Sequence, residues 1–284
     1  MGQSGRVIRN ATQNDRQPLA NLIHFQTFIH RHLDWRTPLD WLDSQPYLVL
    51  EQDQRVQAVL ACPPDPPEIA WLRLFGVDSH ADVQGAWQVL WPAARQMLAE
   101  KPGIRASAIA LQTWFAELLR GSGFTHTNDV ILLIWDTGTL RALPRPKPCA
   151  VRSMLPGDLD AVSEVDARAF SPEWRNSRSD LEYAFKQSAA ATVALEDDQV
   201  VGYQLSTAGP MGGHLARLAV LPHLQGKGLG YALVYHVLDE FTRRGVEHVT
   251  VNTQSDNHAS QSLYHKSGFW NANEIYQVYQ TDLL

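Results

Sequence analysis

Four segments of this 284-residue chain recur in the same order at a nearly constant spacing, and no other feature limits the fold as much. Val7-Ile-Arg-Asn-Ala-Thr-Gln-Asn-Asp15 parallels Ala150-Val-Arg-Ser-Met-Leu-Pro-Gly-Asp158, 143 positions later. Leu50-Glu-Gln-Asp-Gln-Arg-Val56 parallels Leu195-Glu-Asp-Asp-Gln-Val-Val201 with a shift of 145. Trp71 to Val77 parallels His214 to Val220, shifted 143, and Gly121-Ser-Gly-Phe124 parallels Lys266-Ser-Gly-Phe269, shifted 145. The chain therefore reads as two copies of one α/β unit, each long enough to bury its own core. Between them lies Arg141-Ala-Leu-Pro-Arg-Pro-Lys-Pro-Cys149, where alternate prolines favour an extended connector. The expected division is 1–140, a linker at 141–149, and 150–284.

Within the second copy, Leu215 to Leu221 is a short apolar run that suits a mostly buried strand, ended by Pro222. Gln225-Gly-Lys-Gly-Leu-Gly230 follows, and apolar residues at 229, 233, 237, 238 and 241 then mark an amphipathic helix. A glycine-rich turn between a strand and a helix N-terminus exposes backbone N–H groups backed by the helix dipole, and lets a phosphate approach the main chain. The turn lacks the Gly-x4-Gly-Lys-Ser/Thr spacing of a P-loop. Tyr231 also stands where the dinucleotide fingerprint needs a small residue.

What remains, Gln-x-x-Gly-x-Gly after a strand ending Leu-Ala-Val-Leu-Pro, resembles the pyrophosphate turn of the GNAT superfamily of N-acetyltransferases. A second signature follows in the expected order: Asn257, then Tyr264, then Gly268-Phe269. The resemblance covers the chain from about Val151 onward and is nearest to the protein N-terminal acetyltransferases. It implies an α/β (α+β) fold of two tandem domains, each a mixed twisted sheet flanked by helices. One live half in a tandem also resembles the mycothiol synthases, though nothing in the residues identifies a thiol-sugar acceptor. In the first copy Val83, Gly85 and Trp87 fall opposite Gly226, Gly228 and Gly230. That turn is expected to be crowded and the first copy to have lost its cofactor, leaving a structural role or one wall of the substrate site.

The resemblance implies acetyl-CoA as co-substrate and a primary amine as acceptor. Gln225, Gly226, Lys227, Gly228, Leu229, Gly230 and Tyr231 would hold the pyrophosphate. The edge of Leu218, Ala219 and Val220 would pair with the amide-rich pantetheine arm and supply the N–H that meets the oxyanion. Asn257 would hold the pantetheine or adenine arm, although such a residue is also an ordinary helix N-cap. Tyr264 is the expected acid for the departing thiolate, because a phenol stays protonated at neutral pH. Phe170, Glu173 and Trp174 are expected to face the acceptor from the loop between two helices, and His214 from the start of the motif strand. Asn252 stands where related enzymes often carry a glutamate base, and an amide cannot take a proton. His214 and Glu173 are the candidate bases. The alternative to an enzyme is a non-catalytic acyl-CoA-binding sensor or scaffold.

Composition narrows the partners. The net charge of −6 argues against nucleic acid or an anionic membrane. Cys62 and Cys149 form no disulfide framework and no zinc spacing, so no metal is expected. The start has no apolar leader and no stretch nears ~20 apolar residues, so a cytoplasmic chain is expected. Oligomeric state is left open.

Overall fold

The computed structural model describes residues 5–283. The first copy runs β1 (Val7–Asn10), α1 (Arg16–Phe25), β2 (Phe28–Arg31), β3 (Tyr47–Gln52), β4 (Arg55–Ala61), β5 (Ile69–Trp71), β6 (Leu74–Val77), α2 (Val83–Ala99), β7 (Arg105–Ala110), α3 (Thr113–Gly121) and β8 (Thr125–Asp136). The second runs β9 (Ala150–Ser153), α4 (Leu159–Ala169), α5 (Arg178–Gln187), β10 (Ala190–Glu196), β11 (Gln199–Gly209), β12 (Gly212–Val220), α6 (Leu229–Arg243), β13 (His248–Gln254), α7 (His258–Lys266) and β14 (Trp270–Asp282).

The repeat is visible down to single bonds. Arg9 grips Asp15 through two hydrogen bonds of 2.8 and 2.7 Å, and Arg152 grips Asp158 through two of 2.6 and 2.8 Å. Each carboxylate also accepts the backbone N–H opening the next turn, from Thr12 and Leu155 respectively. Asp158 therefore caps the turn before α4 rather than the helix itself. The Arg9 guanidinium holds the Asp15 carboxyl down at about 2.

The chain packs into two compact units, Met1–Asn128 with Tyr276–Leu284, and Asp129–Ile275. In the first, β7 pairs antiparallel with β14, Arg105 opposite Asp282 and Ala110 opposite Gln277. In the second, β13 pairs antiparallel with β8, His248 opposite Asp136 and Gln254 opposite Val130. Each unit thus takes a strand from the other copy. The two units do not follow the two copies in sequence order, because strand partners are set by register and buried face. Each unit is a mixed α/β (α+β) assembly of sheet and flanking helices.

Both units contain a forked pair of parallel strands. In the second, β12 and β13 pair only from Gly213 opposite Val249 to Leu215 opposite Val251, and then part. In the first, β5 and β7 pair from Ile69 opposite Arg105 to Trp71 opposite Ser107, after which β6 leaves. There the resemblance ends. The fork of the first unit is filled by β2, which pairs antiparallel with β6 from Phe28 opposite Val77 to Arg31 opposite Leu74. The segment 143 positions later, Ser171 to Trp174, instead makes a 3₁₀ turn over Pro172–Trp174. Pro172 stands where the first copy has Ile29, and a proline offers no N–H to a ladder. Pro172 thus disfavours a strand in the second copy where Ile29 permits one in the first.

The crowding expected at Trp87 is not what closes the first copy. Val83, Gly85 and Trp87 already belong to α2, whose first turn is capped by the Asp82 carboxylate accepting from Gln84 N and Gly85 N. Trp87 turns inward, 2% exposed, stacked on Trp91 and donating to Ser122 Oγ at 2.6 Å. An indole at this point of an amphipathic helix falls on its buried face. In the first unit the carboxylate cap and β2 thus occupy the helix start and the strand edge that are left open in the second.

β2 is anchored by His30, fully buried, with Nε2 at 3.0 Å from Leu72 O and its ring stacked 3.9 Å from Phe115. Burial pushes this imidazole from 6.5 down to about 4. Between those values the unfolded chain binds a proton that the folded chain refuses, so stability falls as pH drops through that window. The expected loss at pH 5 relative to pH 7 is about 2 kcal/mol. Urea unfolding of the wild type and His30→Gln at both pH values checks it: an equal pH dependence in the variant would clear His30 of the effect.

Candidate functional site

The glycine turn pairs left-handed backbone with an uncapped helix start. Gly226 and Gly228 have φ of +75° and +98°, a left-handed backbone that other residues adopt only at a cost. No side chain caps α6, so the N–H groups of its first turn are unclaimed by a cap. That contrasts with Asp82 in the first unit. A side chain at either Gly226 or Gly228 would meet nothing within 4 Å, so backbone conformation, not crowding, demands glycine there. At Gly230 space decides, since a Cβ would come within 3.1 Å of Leu263 in α7. Lys227 is exposed, and the Gln225 amide reaches back to donate to Val220 O at 3.1 Å. Tyr231 is buried, its hydroxyl donating to Pro144 O at 2.6 Å and its ring under Lys266.

The open edge lies just before this turn. β12 pairs antiparallel with β11, Val220 opposite Gly202 and Leu218 opposite Gln204, with Ala216 bulged out of register. Leu221 N donates to Val201 O, which sets the alternation: Ala219 and Arg217 face β11, while Leu218 and Val220 turn their backbone groups to the other side. That side is the gap left where β13 departs. Leu218 N–H therefore points into the fork, one place beyond the bulged strand segment.

Tyr264 enters the same region from α7. It is 5% exposed and packs with Leu215, Val251 and Phe269, with Leu218 and Leu263 at the edge of that cluster. Burial pushes its phenol above the ordinary range, with the Arg217 charge opposing. The phenol thus stays protonated at neutral pH. Asn257 caps α7, its Oδ1 accepting from Ser260 N at 3.1 Å. Its side-chain oxygen is thus engaged at the helix start.

The loop between α4 and α5 carries a network that the sequence reading did not single out. Asp166 on α4 is wholly buried and accepts from Arg217 Nε at 2.8 Å, Arg217 Nη2 at 2.6 Å, Asn176 N at 2.9 Å and the Tyr203 hydroxyl. Arg217 Nη2 also donates to Trp174 O at 2.7 Å, and the guanidinium lies 3.6 Å from the centre of the Phe170 ring. Burial opposes the Arg217 charge, but Asp166 and Tyr203 outweigh it and raise its pKa. A signal existed in the sequence: Arg217 is the one charge in an apolar strand, and Asp166 flanks the buried positions 162 and 165 of its helix. Phe170, Glu173 and Trp174 are each partly exposed on this loop.

His214 lies at the paired end of the fork, Nδ1 at 2.8 Å from Thr250 Oγ1, and burial pushes its imidazole down. A neutral His214 can accept a proton but is a weak base. Asn252 is the first β13 residue past the last pair with β12, and its Oδ1 is buried without a partner. Among the described residues, no group of three His, Cys, Asp or Glu is placed to hold a metal ion. No helix there is long and apolar enough to cross a membrane.

Residues 159–269 match the Acetyltransferase (GNAT) family. The chain is 30% identical over 154 residues to a mycothiol acetyltransferase of Renibacterium salmoninarum, covering 48% of this chain and 46% of that protein. It is 28% identical over 130 residues to the ribosomal protein bS18 alanine N-acetyltransferase of Escherichia coli K12, covering 42% of this chain and 79% of that one. The chain spans about half the length of the mycothiol acetyltransferases it matches. The tandem GNAT protein of the clavulanic acid biosynthesis pathway superposes with a TM-score of 0.68 over 99% of this chain and 98% of that one, at 17% identity. That likeness shows the fold alone. The uncapped glycine turn and the open strand fork both fall inside the stretch 159–269 that matches the Acetyltransferase (GNAT) family.

Proposed function

We propose that the second unit transfers an acetyl group from acetyl-CoA to a primary amine by direct attack, and that the first unit binds no acyl-CoA. The observation that carries this is the contrast between the forks: the Leu218 and Val220 edge is open, whereas the equivalent Phe75 and Val77 edge is paired to β2. The turn Gln225 to Tyr231 suits a pyrophosphate, and the Leu218–Val220 backbone suits an amide-bearing arm as an added strand. Leu218 N–H meets the oxygen that becomes negative as the amine nitrogen adds to the thioester carbon. The carbon–sulfur bond then breaks, Tyr264 gives the sulfur its proton, and the nitrogen sheds one, so the exchange balances.

With an amide at Asn252 and a neutral, half-buried His214, the site suits an amine that arrives uncharged. An α-amine, with a pKa near ~8, meets that condition far better at neutral pH than a lysine amine near ~10.4. The free α-amino group of a peptide or protein is therefore the favoured acceptor.

Calorimetric titration of the whole chain with acetyl-CoA tests the assignment. One site per chain is expected. Two sites would mean that β2 yields its place, and no binding would remove the enzyme reading and leave only the fold.

A further inference from the structure

We propose that Arg217 is a positioning residue for the acceptor, clamping the loop at 170–176 to the strand that holds the thioester. This rests on the transferase reading for its kinetic consequence but not for its geometry. Arg217 is the immediate neighbour of Leu218, whose N–H points into the fork. Its backbone faces β11, and its side chain crosses to the acceptor loop, where it bonds Trp174 O and covers the Phe170 ring. Asp166, which holds the guanidinium, also takes the Asn176 N–H at the far end of the same loop. Within the loop, Arg175 Nε donates to Phe170 O at 3.0 Å. The loop is therefore tied at 170, 174 and 176 to one buried ion pair, whose carboxylate is further fixed by the Tyr203 hydroxyl.

Two physical consequences follow. The pair cancels its own charge, so Arg217 orders the acceptor side without repelling an entering ammonium or amine. The loop is also fixed relative to Leu218 through a single side chain, with no flexible segment between them. A misplacement of about 1 Å between nucleophile and carbonyl costs on the order of 100-fold in rate, so such a link is where acceptor geometry is set.

Removing Arg217 alone would strand a buried carboxylate and risk the fold. The decisive variant is therefore Arg217→Met with Asp166→Asn. It removes both charges, keeps an oxygen to accept from Asn176 N–H, places an NH₂ that the Tyr203 oxygen can accept, and cuts the tie to Trp174 and Phe170. Arg217→Lys, which keeps a charge for Asp166 but cannot serve both partners, is the second variant. Two readouts are taken on the full chain. The first is the rate of tryptic cleavage after Arg175, identified by mass, which needs no turnover. The second is kcat/KM for a short peptide amide with a free α-amino group, beside the Kd for acetyl-CoA.

The double variant is expected to be cut after Arg175 at least tenfold faster and to lose roughly 10- to 100-fold in kcat/KM for the amine, with acetyl-CoA affinity within twofold of wild type. Arg217→Lys should fall between. Unchanged cleavage with unchanged kinetics overturns the clamp. Faster cleavage with unchanged kinetics leaves an ordered loop that positions nothing, and slower turnover with unchanged cleavage makes Arg217 a direct contact; either result overturns the proposal. If the double variant does not fold, a wild-type cleavage rate and wild-type kinetics in Arg217→Lys overturn it. A wild type that acetylates no amine at all sinks the transferase reading instead, and the cleavage rates still judge the clamp.

Discussion

Tyr264→Phe should lower kcat by roughly 10²- to 10⁴-fold while leaving the Kd for acetyl-CoA unchanged, as removal of a general acid does. The substitution deletes one oxygen and keeps the ring that packs against Phe269 and the α7 cluster, so the fold should be undisturbed. Co-substrate affinity is assigned to backbone groups at the glycine turn and at Leu218 and Val220, none of which the change touches. What is lost is the proton for the leaving sulfur. Because burial raises the phenol above its usual range, it is protonated throughout the neutral region. The wild-type rate should therefore show no falling limb from Tyr264 below pH ~10. Steady-state rates with the best amine, beside calorimetry on the same preparations, decide the matter. An unchanged kcat would take Tyr264 out of the chemistry. A loss of acetyl-CoA affinity with kcat intact would make it a binding residue, and would favour a module that only senses acyl-CoA.

The parts of this site that are backbone were the more legible in sequence. A positive φ at Gly226 and Gly228 demands glycine, so the turn announces itself, and the strand before it shows as an apolar run. The repeat was legible because Arg9–Asp15 and Arg152–Asp158 each need the same residues at the same separation. The exchange of β8 and β14 was not, since nothing local in a strand names its partner across the sheet. The closure of the first fork was half visible. Ile29 against Pro172 is a difference in strand competence, but it acts only once β2 has a vacant edge to fill. Trp87 misled because an aligned position was taken for an aligned environment. One copy has begun its helix at Val83, and the other is still in its turn at Gly226. Asp166 and Arg217 sit 51 residues apart, and only the fold shows that two isolated charges on buried faces are one pair.

That pair carries a large expected stability effect. Asp166→Ala should cost about 3–5 kcal/mol of unfolding free energy, read as a lower urea midpoint at unchanged slope. The carboxylate is fully buried and Arg217 is 13% exposed, so the guanidinium left behind has little water to turn to. The Tyr203 hydroxyl and the Asn176 N–H lose their acceptor in the same step. A surface pair gives the scale. Arg178 and Asp160 meet at 2.7 Å, as close as many buried pairs, but with side chains 38% and 87% exposed. Removing Asp160 should cost less than about 1 kcal/mol, because water replaces what the partner gave. Nearly the same bond length is thus expected to differ severalfold in consequence, because one pair is buried and holds two further donors while the other is in water. A loss below about 1 kcal/mol for Asp166→Ala would mean that Arg217 swings out to solvent when released.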